Sequence, residues 1–192
     1  MSNDPDRPLV GVLALQGGFA AHARLLRELG AEVREVRTPA DLDGLQGLVL
    51  PGGESTTMTL GIAREGLAGP LADLVGSGVP VLGTCAGLIM LDREHLGLMD
   101  ITARRNAFGR QIRSFETDLD FPDLDEPVHA VFIRAPWIEE HGPEVEILAA
   151  VDGHPVAARE GEIVVVAFHP ELSGERRLHE RFLERVRACA RS

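Results

Sequence analysis

A cysteine between two glycines is the residue of this chain best suited to covalent chemistry. The segment reads Gly83-Thr84-Cys85-Ala86-Gly87, after an apolar run that starts at Val79 and before a helix-like stretch that ends at Leu91. This is the strand–turn–helix context of a nucleophile elbow, with a thiol where many hydrolases carry a hydroxyl. We expect the glycines to allow the sharp turn and the helix N-terminus to favour the thiolate. A small buried thiol in a tight turn is the alternative that this motif alone leaves open.

A histidine and a glutamate provide the base that such a thiol needs. His169-Pro170-Glu171 follows the apolar run Ile163–Phe168. In extended backbone, residues two apart face the same side, so both side chains are expected on one edge. A thiol nucleophile needs a base, and the base needs a partner that sets its tautomer. We therefore predict a Cys85–His169–Glu171 triad, against the alternative of a solvated turn after a strand.

Adjacent glycines in Pro51-Gly52-Gly53-Glu54-Ser55-Thr56-Thr57 follow another apolar run. Such a turn can aim backbone N–H groups at one point, and we expect Ser55 or Thr56 to cap the next helix. With a cysteine nucleophile nearby, we predict an oxyanion hole made by the N–H groups of Gly53 and Ala86. A plain strand–helix connection is the alternative.

Further polar residues stand next to apolar runs. Gln16 ends the first run, while Arg134 and the pair Arg105 and Asn106 are candidates to hold a substrate carboxylate. Structural ion pairs are the alternative for these arginines. Cys189 has no base nearby in sequence, so an inert thiol is expected. The remaining histidines have no spacing typical of metal ligands, and we predict no metal site; they are His22, His95, His129, His141, His154 and His179.

Composition excludes several classes of function. The formal net charge of −11 would repel nucleic acid. All 19 basic residues are arginine, so this chain can form no Schiff base, and no cofactor is expected. No apolar run approaches the length of a membrane span, and the acidic start Met1–Asp6 does not resemble a signal peptide. Two cysteines are no disulfide scaffold, so we expect a soluble cytoplasmic protein that binds no membrane.

Alternating strand and helix patterns over 192 residues predict one α/β domain, residues 1–192, with a mixed sheet. The predicted strands are Leu9–Leu15, Ala31–Arg37, Leu48–Leu50, Val79–Leu82, Gln111–Leu119, Val128–Arg134, Val145–Val151, Val156–Arg159 and Ile163–Phe168. The predicted helices are one around Leu25–Leu29 and those at Ser55–Gly66, Leu71–Gly76, Leu88–Leu91 and Glu175–Ala190. A hairpin turn is predicted at Glu160-Gly161, and Gly30 is expected to end the first helix.

These motifs together resemble the class I glutamine amidotransferases with a Cys-His-Glu triad, and most closely the glutaminase subunits of pyridoxal phosphate synthases. The resemblance spans nearly the whole chain. It rests on Gly11–Gly17, Leu50–Met58, Gly83–Ile89, Arg105–Gln111, Phe132–Pro136 and Phe168–Leu172. Two departures are the short segment Asp92–His95 and Ala107, where the family pattern has serine.

The resemblance implies a three-layer, flavodoxin-like fold with a mostly parallel sheet. It also implies hydrolysis of L-glutamine, with ammonia passing to a separate synthase subunit in a hetero-oligomer. Gln16 is a candidate for activation or for the interface. The family's glutamine contacts correspond here to Gly53, Glu54, Ser55, Arg105, Ile133 and Arg134.

Three alternatives remain at this point. The chain could be a glutaminase of another pathway, such as histidine or cobalamin biosynthesis. It could be a cysteine peptidase or glyoxalase-like hydrolase on a related fold. It could also be a non-catalytic regulatory subunit, which the complete triad and the intact Gly-Gly turn argue against.

Overall fold

The computed structural model describes residues 7–108 and 114–191, which form eleven strands and five helices. The strands are β1 (Leu9–Leu13), β2 (Glu32–Val36), β3 (Gly47–Leu50), β4 (Val81–Thr84), β5 (Ile101–Arg104), β6 (Ser114–Leu119), β7 (Val128–Ile133), β8 (Trp137–His141), β9 (Glu146–Val151), β10 (His154–Glu160) and β11 (Ile163–Val166). The helices are α1 (Phe19–Glu28), α2 (Ser55–Arg64), α3 (Ala68–Gly76), α4 (Ala86–Leu91) and α5 (Arg177–Ala190), with a 3-10 turn at Pro39–Leu42.

A mixed seven-stranded sheet runs through the centre, in the order β2-β1-β3-β4-β11-β10-β9. The strands from β2 to β11 are parallel, and β10 and β9 extend the sheet in antiparallel pairing. Strands β3 and β4 are buried at every residue, as expected for parallel strands covered on both faces. The carboxyl ends of β1, β3, β4 and β11 therefore lie side by side at one edge of the sheet.

Helices cover both faces and make three layers. On one face, α1 and α5 pack Leu26 and Leu183 against Val10 and Val12 of β1. On the other face, α2, α3 and α4 join a larger core that contains Leu13 of the same strand. Neighbouring residues of β1 thus serve opposite layers, as the two-residue period of a strand requires. The predicted three-layer fold with a mixed, mostly parallel sheet is confirmed.

Two short ladders lie outside the central sheet: β5 pairs with β8, and β6 pairs with β7, both antiparallel. The sequence patterns did not indicate β5 or β8. These strands are short, and Trp137–His141 carries three polar residues in succession, so neither shows an apolar run or a clear alternation. Their pairing with each other stabilises them instead.

Most other predicted elements are present with shifted ends. The first predicted strand is two residues too long, as is the strand ending at Phe168, while α3 begins three residues before its predicted start. Gly30 follows α1 with a φ of 91°, as a helix-ending glycine does. The segment Gly109–Gln111 of one family motif and the N-terminal Met1–Asp6 lie outside the described residues. No helix within 7–108 and 114–191 is long and apolar enough to cross a membrane.

Candidate active site

Cys85 lies at a sharp turn between β4 and α4. Its backbone has φ 48° and ψ −105°, and its N–H donates to the carbonyl of Val166 at 2.8 Å. From the sequence we expected the flanking glycines to adopt the unusual backbone conformation of this turn. That expectation was wrong, because the positive φ belongs to Cys85 itself. Gly87 is needed for close packing, because a Cβ there would fall 2.0 Å from the carbonyl oxygen of Leu50. The elbow therefore combines a strained nucleophile with a helix pressed against β3.

His169 is held between the nucleophile and Glu171. Its Nδ1 lies 2.8 Å from Oε1 of Glu171, and its ring lines the cleft together with Cys85, both of them next to Gly52. The two residues do not share an extended strand as predicted, because β11 ends at Val166 and a turn follows. In that turn, the N–H of Leu172 donates to the His169 carbonyl at 3.2 Å, which brings Glu171 back towards the imidazole. His169 and Glu171 thus lie side by side, but the extended strand from which we expected this arrangement is absent.

The electrostatics of this pair favour an imidazolium next to a carboxylate. Burial lowers the pKa of His169, but its interactions with Cys85 and Glu171 outweigh this and raise that pKa to about 10. Burial raises the pKa of Glu171, but the interactions with His169 and His22 outweigh it and lower that pKa. The Glu171 side chain is only 2% exposed, so its charge acts on the imidazole with little screening by water.

A cleft of about 300 Å³ opens in front of Cys85 and His169. Every other residue predicted for the site lines it, and Glu171 lies behind the imidazole. Sequence reasoning did not single out Ile89 or Pro136, which add apolar wall. The lining consists of Gln16, Gly53, Glu54, Ser55, Cys85, Ala86, Ile89, Arg105, Asn106, Ile133, Arg134, Pro136 and His169.

Backbone strain is concentrated around this cleft. In the described part of the chain, four residues other than glycine have a positive φ, and three of them line the cleft: Cys85, Asn106 and Arg134. The fourth, Asp152, lies in the tight turn between β9 and β10. Such strain costs about 1–3 kcal/mol per residue and clusters where function requires it. Asn106 and Arg134 lie outside the triad, so their strain marks the same cleft by a second observation.

Glu54 caps α2, a role that the sequence argument gave to Ser55 or Thr56. Its carboxylate accepts from the backbone N–H groups of Thr56 at 3.0 Å and Thr57 at 2.8 Å. Hydrogen bonds from Thr57 and Thr56 lower the pKa of Glu54 to about 2. The Glu54 N–H in turn donates to Oε1 of Gln16 at 2.7 Å, which ties the end of β1 to the glycine turn. The carboxylate is therefore committed largely to the helix terminus.

The two cleft arginines differ in their partners. Nη1 of Arg105 lies 3.4 Å from Oγ1 of Thr56, and its Nη2 lies 3.5 Å from Oε1 of Glu54; both contacts are long. Arg134 forms no ion pair with any carboxylate that the structure describes, and it is exposed at the rim next to Ile133. An unpaired guanidinium at the mouth of a catalytic cleft suits a carboxylate ligand.

A larger cavity of about 660 Å³ lies at the opposite end of the sheet, near the start of β4. Its arginines are already paired: Arg185 with Glu162, and Arg159 with Glu146 and Asp123. It holds no nucleophile with a base, so it does not compete with the cleft as a site of catalysis. Among the described residues, no group of three or more histidine, cysteine or acidic side chains is arranged to hold a metal ion.

A strained cysteine elbow with a histidine–glutamate pair, at the carboxyl edge of this sheet, places the protein among the cysteine-dependent glutamine amidotransferases. The chain belongs to the SNO glutamine amidotransferase family, whose model matches residues 12–188.

Relatives and solved structures agree with this assignment. The chain is 52% identical over 190 residues to the pyridoxal 5'-phosphate synthase subunit PdxT of Mycobacteroides abscessus, covering 94% of this chain and 98% of that protein. The PdxT protein of Corynebacterium jeikeium is 51% identical over 189 residues, covering 93% and 97%. A crystal structure of a glutamine amidotransferase superposes with a TM-score of 0.86 at 43% identity, covering 92% of this chain and 98% of the other. PurLQS from Thermotoga maritima, at 17% identity and a TM-score of 0.73 over 97% and 100%, shares the fold.

Proposed function

We propose that this protein hydrolyses L-glutamine to L-glutamate and ammonia, as the glutaminase subunit of a pyridoxal phosphate synthase. The observation that carries the chemistry is the array in one cleft: Cys85 at a strained elbow, His169 beside it against Gly52, and Oε1 of Glu171 at 2.8 Å from Nδ1 of His169. A nucleophile, a base and a group that orients the base are the parts that amide hydrolysis through a thioester requires.

The first half of the reaction forms a glutamyl thioester. The Cys85 thiolate attacks the side-chain carbonyl carbon of glutamine, and the N–H groups of Gly53 and Ala86 stabilise the resulting oxyanion. His169, in its imidazolium form, protonates the nitrogen as the C–N bond breaks, and ammonia leaves. Loss of a single oxyanion donor typically costs about 100- to 1,000-fold in rate.

The second half regenerates the thiolate of Cys85. His169, now neutral, takes a proton from water, whose oxygen attacks the thioester carbonyl. The C–S bond then breaks, glutamate leaves, and Cys85 and His169 return to the thiolate–imidazolium state. Glu171 keeps the imidazole oriented with Nε2 facing the sulfur throughout, because its carboxylate accepts from Nδ1.

The rest of the cleft positions the substrate. Arg134, which has no carboxylate partner in the described chain, is suited to the α-carboxylate of glutamine, with Arg105 as a second cation. Gly53, Glu54 and Ser55 at the start of α2, with Ile133 opposite, complete the proposed contacts. The cleft volume of about 300 Å³ suits a single amino acid.

The identity of the partner rests on the relatives. Proteins about half identical over nearly their whole length are named as subunits of pyridoxal 5'-phosphate synthase, which supports a synthase subunit as the recipient of ammonia. The proposal takes residues 1–192 as one glutamine amidotransferase domain that works in the cytoplasm, with Gln16 near the docking face.

Glutamate release from glutamine, measured with and without the candidate synthase subunit, tests the proposal. We expect turnover that rises when the partner is added and that disappears in Cys85→Ala. The control Cys189→Ala alters a half-buried thiol on α5 and should retain full activity. Substantial activity in Cys85→Ala would refute the catalytic assignment. Stimulation by a different synthase, and none by this one, would refute the pathway.

A further inference from the structure

Two buried histidines extend inward from the far side of Glu171. His22 on α1 and His179 on α5 are both 0% exposed, and Nδ1 of His22 lies 2.8 Å from Nε2 of His179. Nε2 of His22 lies 3.2 Å from Oγ1 of Thr84 and 3.4 Å from Oε2 of Glu171. The proposed hydrolysis assigns no role to either ring, although together they connect the triad to the core.

The chemistry of the partners sets the tautomers. A carboxylate only accepts, so Nε2 of His22 carries the proton that faces Glu171 and Thr84. Nδ1 of a neutral His22 must then accept, and Nε2 of His179 donates to it. The remaining Nδ1 of His179 has no hydrogen-bond partner among the described residues, and in this arrangement it is a bare acceptor rather than a stranded N–H. Burial lowers the pKa of both His22 and His179, which keeps both rings neutral.

We infer that His22 is a positioning residue, which holds Oε2 of Glu171 so that Oε1 stays aimed at His169, and that His179 fixes the tautomer of His22. This inference rests on the proposed glutaminase reaction. The N–H groups of the array are all directed towards Glu171: His179 donates to His22, the Nε2–H of His22 faces Oε2 at 3.4 Å, and His169 donates to Oε1. Their dipoles add at the carboxylate and stabilise its charge.

The buried carboxylate needs this support. Oε2 of Glu171 accepts no hydrogen bond of normal geometry from the residues that the structure describes, and His22 supplies the neighbouring N–H. Without that N–H, one oxygen of a buried carboxylate would have lost both water and protein partners, a costly state. The carboxylate would then rotate or bind a proton, and His169 would lose its orienting charge.

Three elements besides its own helix supply the neighbours of His22. Thr84 comes from the end of β4, His179 from α5, and Glu171 from the turn after β11, with His169 next to it. The titratable groups that act on His22 are therefore Glu171, His169 and His179. A change at His22 can reach the sulfur through Glu171 and His169, or through Thr84, which precedes Cys85 in the chain; a double-mutant cycle with Glu171→Gln separates the two routes.

Two amide substitutions of similar polarity test the inference. In His22→Gln, the amide nitrogen occupies the place of Nε2 and can still donate to Glu171. In His22→Asn, the amide oxygen occupies the place of Nδ1 and can accept from Nε2 of His179, so that contact is kept while the N–H towards Glu171 is lost. We expect kcat for glutamine, in the complex with the synthase subunit, to fall about tenfold or more in His22→Asn and much less in His22→Gln. The KM should change little in either, since His22 does not line the cleft.

A second readout does not depend on glutamine turnover. In a Cys189→Ser background, the rate of Cys85 alkylation by iodoacetamide against pH reports the deprotonation of the neighbouring imidazolium. The pH at which the alkylation rate changes should be lower in His22→Asn than in the Cys189→Ser parent. In His22→Gln it should stay close to the value of the parent. If the wild-type complex releases no glutamate but the alkylation shift is seen, the proposed function fails and the inference on His22 stands.

A double-mutant cycle completes the test. In a Glu171→Gln background, His22→Asn should lower kcat no further and should not shift the pH of the alkylation step any further. The carboxylate through which His22 acts is absent in that background. Equal effects of the Asn and Gln variants, or additive effects with Glu171→Gln, would overturn the inference and leave His22 with a packing role only.

Discussion

Gly52 lies directly against the catalytic pair, so closely that a Cβ at Gly52 would fall 2.5 Å from Cε1 of His169 and 3.3 Å from Cβ of Cys85. The glycine turn after β3 thus has a packing role in addition to the oxyanion role that we propose for it. The absence of a side chain at Gly52 leaves the space that the imidazole of His169 occupies next to Cys85. Real Cβ atoms essentially never approach other atoms within 3.0 Å, so no other residue fits without moving His169.

We predict that Gly52→Ala lowers kcat about 100-fold while the protein stays folded. The added methyl group displaces the imidazole, and a misplacement of about 1 Å typically costs this much. The φ of Gly52 is not in the left-handed region, so alanine brings no backbone strain. The control Gly69→Ala, in α3 with open space around it, should keep full activity and raise stability by up to about 1 kcal/mol. Steady-state kinetics and thermal unfolding check both variants, and near-normal turnover in Gly52→Ala would contradict the packing argument.

The alkaline limb of the pH profile should report His169. Because its pKa is raised to about 10, the imidazolium that protonates ammonia persists until that pH, and kcat/KM should fall as pH rises through it. Removing the charge in Glu171→Gln removes one cause of the raised pKa, so the limb should move to lower pH. In the control Glu162→Gln, at the other end of the sheet, it should not move. An unchanged limb in Glu171→Gln would show that another group titrates there.

The pH dependence of stability should report His179. Burial and the neighbouring His22 lower the pKa of His179 to about 3, below its ordinary 6.5. Between these values the unfolded chain binds a proton that the folded protein does not. Above pH 6.5 His179 is neutral in both states and does not change the free energy of unfolding. As pH drops from 6.5 towards 3, proton uptake by His179 in the unfolded chain lowers the free energy of unfolding by about 1.4 kcal/mol per pH unit.

Replacing this histidine with a residue that does not titrate isolates its share. In His179→Leu the dependence of unfolding free energy on pH should be shallower by that amount, as measured by urea unfolding at several pH values from 7 to 4. Parallel curves for the two proteins would contradict a neutral, buried His179.

Arg134 should determine affinity for glutamine more than the rate of the chemical step. We predict that Arg134→Gln raises KM about tenfold or more with a smaller change in kcat, since a contact with the substrate carboxylate is made in both ground and transition states. Arg134→Lys should recover part of the loss, because it keeps the charge but not the two-pronged geometry. The control Arg104→Gln alters a neighbouring arginine that pairs with Glu139 and does not line the cleft. An equally raised KM in Arg134→Gln and Arg104→Gln would contradict a specific contact between Arg134 and glutamine.

Much of the fold followed from local patterns. The fully apolar runs of β3, β4 and β11 predicted buried parallel strands, and the helical face with Phe182 and Leu183 predicted the packing of α5. Strands β5 and β8 could not be predicted, because neither has a pattern of its own and each is stabilised by the other. The ends of several strands also differ from the predicted ends, because hydrogen bonding to neighbouring strands decides where a strand stops.

The candidate site divides in a similar way. Cys85, His169 and Gln16 follow strands whose carboxyl ends meet at one edge, so their order along the chain implied that they converge. The role of Glu54 as the cap of α2 was missed, because the preferred capping residues Ser55 and Thr56 stand next to it and only the backbone conformation selects among the three. His22 was judged by metal-ligand spacing alone, a test that could not detect a contact with a carboxylate.

The sequence by itself determined which reactive side chains this protein carries and which strand each one follows, because a two-residue period and a parallel sheet translate order along the chain into position at an edge. Only the tertiary structure decided that the strained φ belongs to Cys85, that Gly52 makes room for an imidazole, and that His22 and His179 meet behind Glu171. The last two residues are 157 positions apart and lie on helices of one layer. Their contact depends on how α1 and α5 sit against the sheet, which no local spacing encodes.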